Sequence, residues 1–83
     1  MKSEYELDVR NQLCPLPVIR TQNRIKNLHN HDILHVLCTD PGTLNDIPAW
    51  CRIHGHRVIE TKEHDNEITI IIEVQNNNKV DAP

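Results

Sequence analysis

The sequence predicts an α+β domain: one four-stranded sheet with two helices on one of its faces, in the order βαβαββ. Three observations carry this. Segments at 4–10 and 68–74 alternate with the period of half-buried strands. The stretches after Cys14 and after Asp40 place apolar residues at helical spacing. The 83 residues leave room for a single core, so the elements must share one sheet.

Tyr5, Leu7 and Val9 fall on one face of the first strand, and Glu4, Glu6, Asp8 and Arg10 on the other. Asn11-Gln12 breaks the pattern. The first helix follows Cys14, with Val18, Ile25 and Leu28 on one stripe and Thr21 and Gln22 filling its gap. Pro15 and Pro17 suit a first turn, where a missing N–H is no loss, and so fix its start. Residues 30–32 form a loop, and Ile33 to Thr39 a second strand that is apolar on both faces.

Asp40-Pro41-Gly42 opens the second helical region with Asp40 as its cap. Asp46-Ile47-Pro48 repeats the start signal, so a short turn is expected before the main helix. Its inner stripe is Leu44, Ile47, Cys51 and His54, and Gly55 is the stop. Arg57 to Lys62 reads as the third strand, Asp65-Asn66 as a turn and Ile68 to Val74 as the fourth. Residues 1–75 are read as one domain and 76–83, which lack periodicity, as a disordered tail. The sheet face away from the helices would carry His35 beside Ile33, Leu37 and Ile71, an apolar surface that points to a dimer or partner contact.

Hydrophobic residues make up 37% and charged residues 25%, the balance of a globular protein. Tyr5 and Trp50 are the only aromatics of their class, so Ile, Leu and Val must build the core. The net charge of -3 excludes the basic footprint of a nucleic-acid binder. No apolar run approaches the roughly 20 residues of a membrane span. The acidic, alternating N-terminus does not read as a signal peptide, so a cytoplasmic protein is expected. Three cysteines, Cys14, Cys38 and Cys51, are an odd number and argue against a closed disulfide framework.

Cys14 stands at a loop-to-helix junction, and the prolines beside it favour exposure. Unpaired N–H groups and the positive end of the helix dipole lower a thiol pKa there. It therefore reads as an exposed, partly ionised nucleophile, without a local His or carboxylate to make it a self-sufficient enzyme. Cys38 and Cys51 lie on apolar faces and read as core, Cys51 with the alternative role of resolving thiol. Cys51-x-x-His54-x-His56 has metal-ligand types, but it straddles the helix stop, and no metal or other cofactor is expected. Arg20 and Arg24, one turn apart on the first helix, are either a solvated face or a docking surface for an acidic partner; Trp50 is an edge residue or a further docking contact.

Cys14-Pro15-Leu16-Pro17, preceded by Leu7-Asp8, resembles the Cys-Pro-x-Pro signature of the TusA/SirA-like sulfur carrier proteins. A second block, Asp40-Pro41-Gly42-Thr43 with Asp46-Ile47-Pro48-Ala49-Trp50-Cys51 and Gly55-His56, agrees in order and spacing. The resemblance implies a two-layer α/β sandwich with a mixed sheet, like the C-terminal domain of bacterial translation initiation factor three. It implies that Cys14 accepts sulfur as a persulfide from a cysteine desulfurase or rhodanese-type donor and relays it to an acceptor protein. Family destinations are tRNA thiolation, molybdenum cofactor assembly and sulfur metabolism. The family usually has Gly three positions before the cysteine; here Asn11 stands there, the next best residue at a positive backbone angle. The expectation is a sulfur-relay component, monomeric or weakly dimeric. The competing reading is a non-catalytic interaction module of the same fold.

Overall fold

The computed structural model describes residues 3–13 and 15–75. Cys14 and the expected tail at 76–83 lie outside the described residues. Six elements follow one another: β1 (Glu4–Asp8), α1 (Leu16–Ile25), β2 (Ile33–Cys38), α2 (Thr43–Ile53), β3 (Arg57–His64) and β4 (Glu67–Glu73). The strands form one mixed sheet in the order β1-β2-β4-β3. β1 and β2 run parallel, with Leu7 beside Val36, while β4 is antiparallel to β2 and β3. α1 is the crossover that the parallel pair requires.

Strand periodicity explains the layering. Leu34, Val36 and Cys38 on β2 and Ile68, Ile70 and Ile72 on β4 share one face and are buried. Ile25 of α1 and Ile47 and Cys51 of α2 complete the same core cluster, so both helices cover this face. Burying each such aliphatic side chain stabilises the fold by about 1.5–3 kcal/mol.

The opposite face corrects the sequence reading. Ile33 and Ile71 are only 7% and 8% exposed. Polar neighbours flank them: His35 Nε2 lies 3.1 Å from Glu4 Oε1, and His31 Nδ1 lies 3.2 Å from Glu73 Oε2. Register puts Glu6 and Glu60 in the rows beside His35 and Ile71. The outer strands supply long polar side chains, so the surface is a polar lattice and not an apolar patch.

α2 is also simpler than expected. It runs without a break from Thr43, and Pro48 lies inside it rather than at its start. Asp40 is not the cap that the sequence suggests: Gly42 is, without a side-chain cap bond, and Asp40 shapes the turn before it, its Oδ1 accepting the Gly42 N–H at 3.0 Å and its carbonyl the Thr43 N–H and hydroxyl. Helical bonding is already established when Asn45 and Asp46 donate to the Gly42 carbonyl. Pro48 then removes a single donor, while Ile47 and Cys51 on either side bury the same stripe. The helix ends where Gly55 takes φ 82°, with His56 N–H donating to the Cys51 carbonyl at 2.8 Å and Gly55 N–H to that of Arg52. His54 is consequently the cap and exposed, not part of the inner stripe. β3 continues two residues beyond Lys62, to His64.

Just past this cap, His56 Nδ1 accepts the Gln75 N–H at 3.1 Å. A backbone N–H only donates, so this ring nitrogen carries no proton. Burial, and then the neighbouring His54, push the His56 pKa below its ordinary value. An unfolded chain therefore binds the proton more readily, and stability is lost as pH falls below the ordinary histidine range. Between about pH 7.5 and pH 5 the urea midpoint should drop less in His56→Gln than in the parent chain, because the amide oxygen accepts the same bond without titrating.

Candidate functional site

Parallel pairing places the C-terminal ends of β1 and β2 on one edge of the sheet. The β1–α1 loop and the β2–α2 loop both leave there, and α1 begins there. The antiparallel partner β4 starts at the same edge, Cys38 pairing with Ile68. Carboxyl ends of parallel strands are where loops converge to build sites in such sheets.

The chain is tied down step by step as it leaves β1. Val9 N–H donates to the Leu37 carbonyl at 2.8 Å, the last ladder bond. Asp8 Oδ1 accepts the Arg10 backbone N–H at 3.0 Å and Arg10 Nε at 2.9 Å, and Asp8 Oδ2 accepts Arg10 Nη2 at 2.9 Å. Arg10 Nη1 reaches across the end of β2 to Glu67 Oε2 at 3.2 Å. The side-chain and then the backbone hydrogen bond from Arg10 hold the Asp8 carboxyl down at about 2. Next, Asn11 takes φ 65°, the positive angle anticipated for this position, and its N–H donates to Thr39 Oγ1 at 2.8 Å. These residues border a shallow hollow of ≈ 370 Å³.

Position 14 follows. Its described neighbours, Leu13 and Pro15, are exposed. Leu16 N–H closes a turn onto the Leu13 carbonyl at 2.9 Å, and Ile19 N–H donates to the Pro15 carbonyl at 3.1 Å. Pro15 is the cap of α1 and Pro17 lies in its first turn, buried toward the core, with no acidic residue there. Leu13, Leu16 and Ile19 are 75%, 49% and 43% exposed. They form an apolar collar close to position 14 that the sequence reading did not single out. The signal was present for two of them: Leu16 and Ile19 lie off the buried stripe of α1, and an apolar residue off the stripe faces solvent.

The other two thiols are sealed in the core. Burial pushes the Cys51 thiol up to about 12 and raises that of Cys38 as well. Neither is placed to meet a solvent-borne partner. His54 and His56 flank Trp50, the His54 ring tilted against it with centroids 4.6 Å apart and the His56 ring stacked on it at 5.3 Å. Trp50 is thus half-buried against the core and held by both histidines. Arg20 is exposed, while Arg24 lies over the Tyr5 ring, 5.0 Å from its centroid. Asn11 precedes α1, Pro15 and Pro17 lie at its start, Arg20 in its middle and Arg24 near its end, and Trp50 belongs to α2.

A family profile described as Sulfurtransferase TusA matches residues 5–74. The chain belongs to the TusA family. Among TusA relatives, the sulfur carrier protein TusA of Allochromatium vinosum is 32% identical over 69 residues, 83% of this chain and 91% of that one. The sulfur carrier protein TusA of Pseudomonas aeruginosa is 39% identical over 57 residues, 69% of this chain and 72% of that one. In three dimensions the chain superposes on a SirA-like protein from Desulfitobacterium hafniense with a TM-score of 0.77, covering 87% of this chain and 99% of the other at 23% identity. The βαβαββ order with a mixed sheet is therefore the TusA/SirA-like fold. Among the described residues, no helix is long and apolar enough to cross a membrane.

Proposed function

We propose that this chain carries sulfane sulfur as a persulfide on Cys14, taking it from a donor protein and passing it to an acceptor protein. The observation that carries the reading is the contrast among the three thiols. Cys38 and Cys51 are buried with raised pKa values, while position 14 stands between exposed residues at the start of α1. The positive end of a helix favours a thiolate, and the first turn of α1 holds no carboxylate to oppose it.

The transfer needs no acid–base partner on this chain. The Cys14 thiolate attacks the outer sulfur of a donor persulfide, forming one S–S bond. The donor's own S–S bond breaks and its cysteine leaves as a thiolate, so no net oxidation occurs. The reverse chemistry, on an acceptor thiolate, unloads the sulfur. A cysteine desulfurase or a rhodanese-type protein supplies a persulfide of this kind.

The surroundings of position 14 suit docking. Leu13, Leu16 and Ile19 offer apolar contact, and Arg20, exposed on α1, offers a positive charge beside them. A partner with an apolar rim and acidic flanks fits this end of the molecule. Arg20 is the exposed charge nearest the collar; Arg24 and Trp50, committed to Tyr5 and to the histidines, act more as supports.

Incubation with a cysteine desulfurase and cysteine, without reductant, should add about 32 Da to the intact mass, the mass of one sulfur. Peptide mapping should place it on Cys14. No adduct, or an adduct on Cys38 or Cys51, overturns the reading.

A further inference from the structure

We propose that Arg10 is a positioning residue for the carrier loop: by gripping Asp8 and Glu67 at once, it sets the direction in which the chain leaves β1 toward Cys14. The inference rests on the carrier reading above and adds a residue that the reading did not use.

The geometry is specific. The guanidinium meets the Asp8 carboxylate through two donors at 2.9 Å, and the same carboxylate accepts the Arg10 backbone N–H. The chain is thereby folded back on its own side chain two residues after the strand ends. The third arm, to Glu67 at 3.2 Å, anchors this bend to the start of β4, beyond the intervening end of β2. The next residue, Asn11, is then in the left-handed region with its N–H on Thr39. Three consecutive devices fix the three residues that precede Gln12-Leu13.

Stability does not account for such a brace. The side chains of Arg10, Asp8 and Glu67 are 38%, 54% and 55% exposed, and ion pairs so open to solvent stabilise a fold little. Nor does thiolate electrostatics: two carboxylates face one guanidinium, so the trio is net anionic and offers no free cation. What a bidentate fork supplies is orientation. A carrier needs this, because its thiol must enter the active site of another protein, where small misplacements cost rate steeply.

The test compares Arg10→Lys, which keeps the charge without the fork, and Arg10→Ala with the parent chain. Loading by a cysteine desulfurase with cysteine as sulfur source is measured as KM and kcat for the carrier, beside the rate of Cys14 alkylation by iodoacetamide. Both variants should raise KM about tenfold, with kcat and alkylation close to the parent values. Amide exchange at Asn11 should quicken while Val9, on the ladder, stays protected. Glu67→Gln, which severs only the outer arm, should raise KM by about threefold and serves if the Arg10 variants fold poorly. An unchanged KM overturns the proposal, as does full rescue by lysine, which would make the role one of charge. Loss of protection at Val9 overturns it too, since the brace would then hold the sheet and not the loop. Sulfur mapped away from Cys14 removes the carrier reading and this inference together; sulfur on Cys14 with a parental KM removes this inference alone.

Discussion

Cys14→Ser should abolish sulfur loading while leaving the fold intact. A serine hydroxyl forms no S–S bond and stays un-ionised near neutral pH, so no residual transfer is expected. The described neighbours of position 14, Leu13 and Pro15, are exposed, and the substitution exchanges one sulfur for one oxygen. The mirror experiment is Cys38→Ala and Cys51→Ala. Both side chains are completely buried in the cluster beneath the helices, and each truncation should cost roughly 1 kcal/mol or more of stability. Both variants should still take up one sulfur. The three substitutions thus separate along two axes, intact mass for loading and urea unfolding for stability. Iodoacetamide gives a third readout: it should modify one thiol in the folded chain and three in urea. An adduct that survives in Cys14→Ser would assign the sulfur to another residue.

The order of elements was legible in the sequence because each carried its own period and its own punctuation. Ile68, Ile70, Ile72 and Val74 alternate cleanly, and all four are buried. Pro15-Leu16-Pro17 marked the start of α1 through its missing donors, and Gly55 marked the end of α2 through its positive φ. Asn11 was legible for the same reason: few side chains tolerate the left-handed region, and it takes φ 65°. The misreadings share one cause, which is that tertiary packing outweighs a local signal. Pro48 looked like a second start, yet Ile47 and Cys51 gain more by continuing one buried stripe than the lost hydrogen bond costs. Ile33 and Ile71 looked like an exposed apolar face, but their coverage depends on which glutamates and histidines the strand order brings alongside. The brace was hidden in the same way. Asp8 and Arg10 are two residues apart and could be paired from sequence, but Glu67 lies 57 positions further on, and only the β1-β2-β4 order brings it within reach.

Ile70→Ala should be the most destabilising single truncation in the sheet. Ile70 is completely buried, and β4 lies between β2 and β3, so its neighbours in register are Val36 on one side and Thr61 on the other. The vacated space is bounded by the sheet and the helices together and cannot be refilled from solvent. Truncations of this kind cost about 2–5 kcal/mol. A chain of this length has a total stability of roughly 4–12 kcal/mol, so the change consumes a large share of it. At about 4–8 °C per kcal/mol, the thermal midpoint should fall by about 8 °C or more. Ile53→Ala supplies the control: that side chain is 77% exposed at the end of α2, and its loss should stay within about 0.5 kcal/mol. Urea unfolding with an unchanged slope reads both. Equal costs at the two positions would mean that the sheet face under the helices is not the core. A large cost at Ile70 alone follows from a single apolar layer in which β4 touches both flanking strands and α2 packs against it.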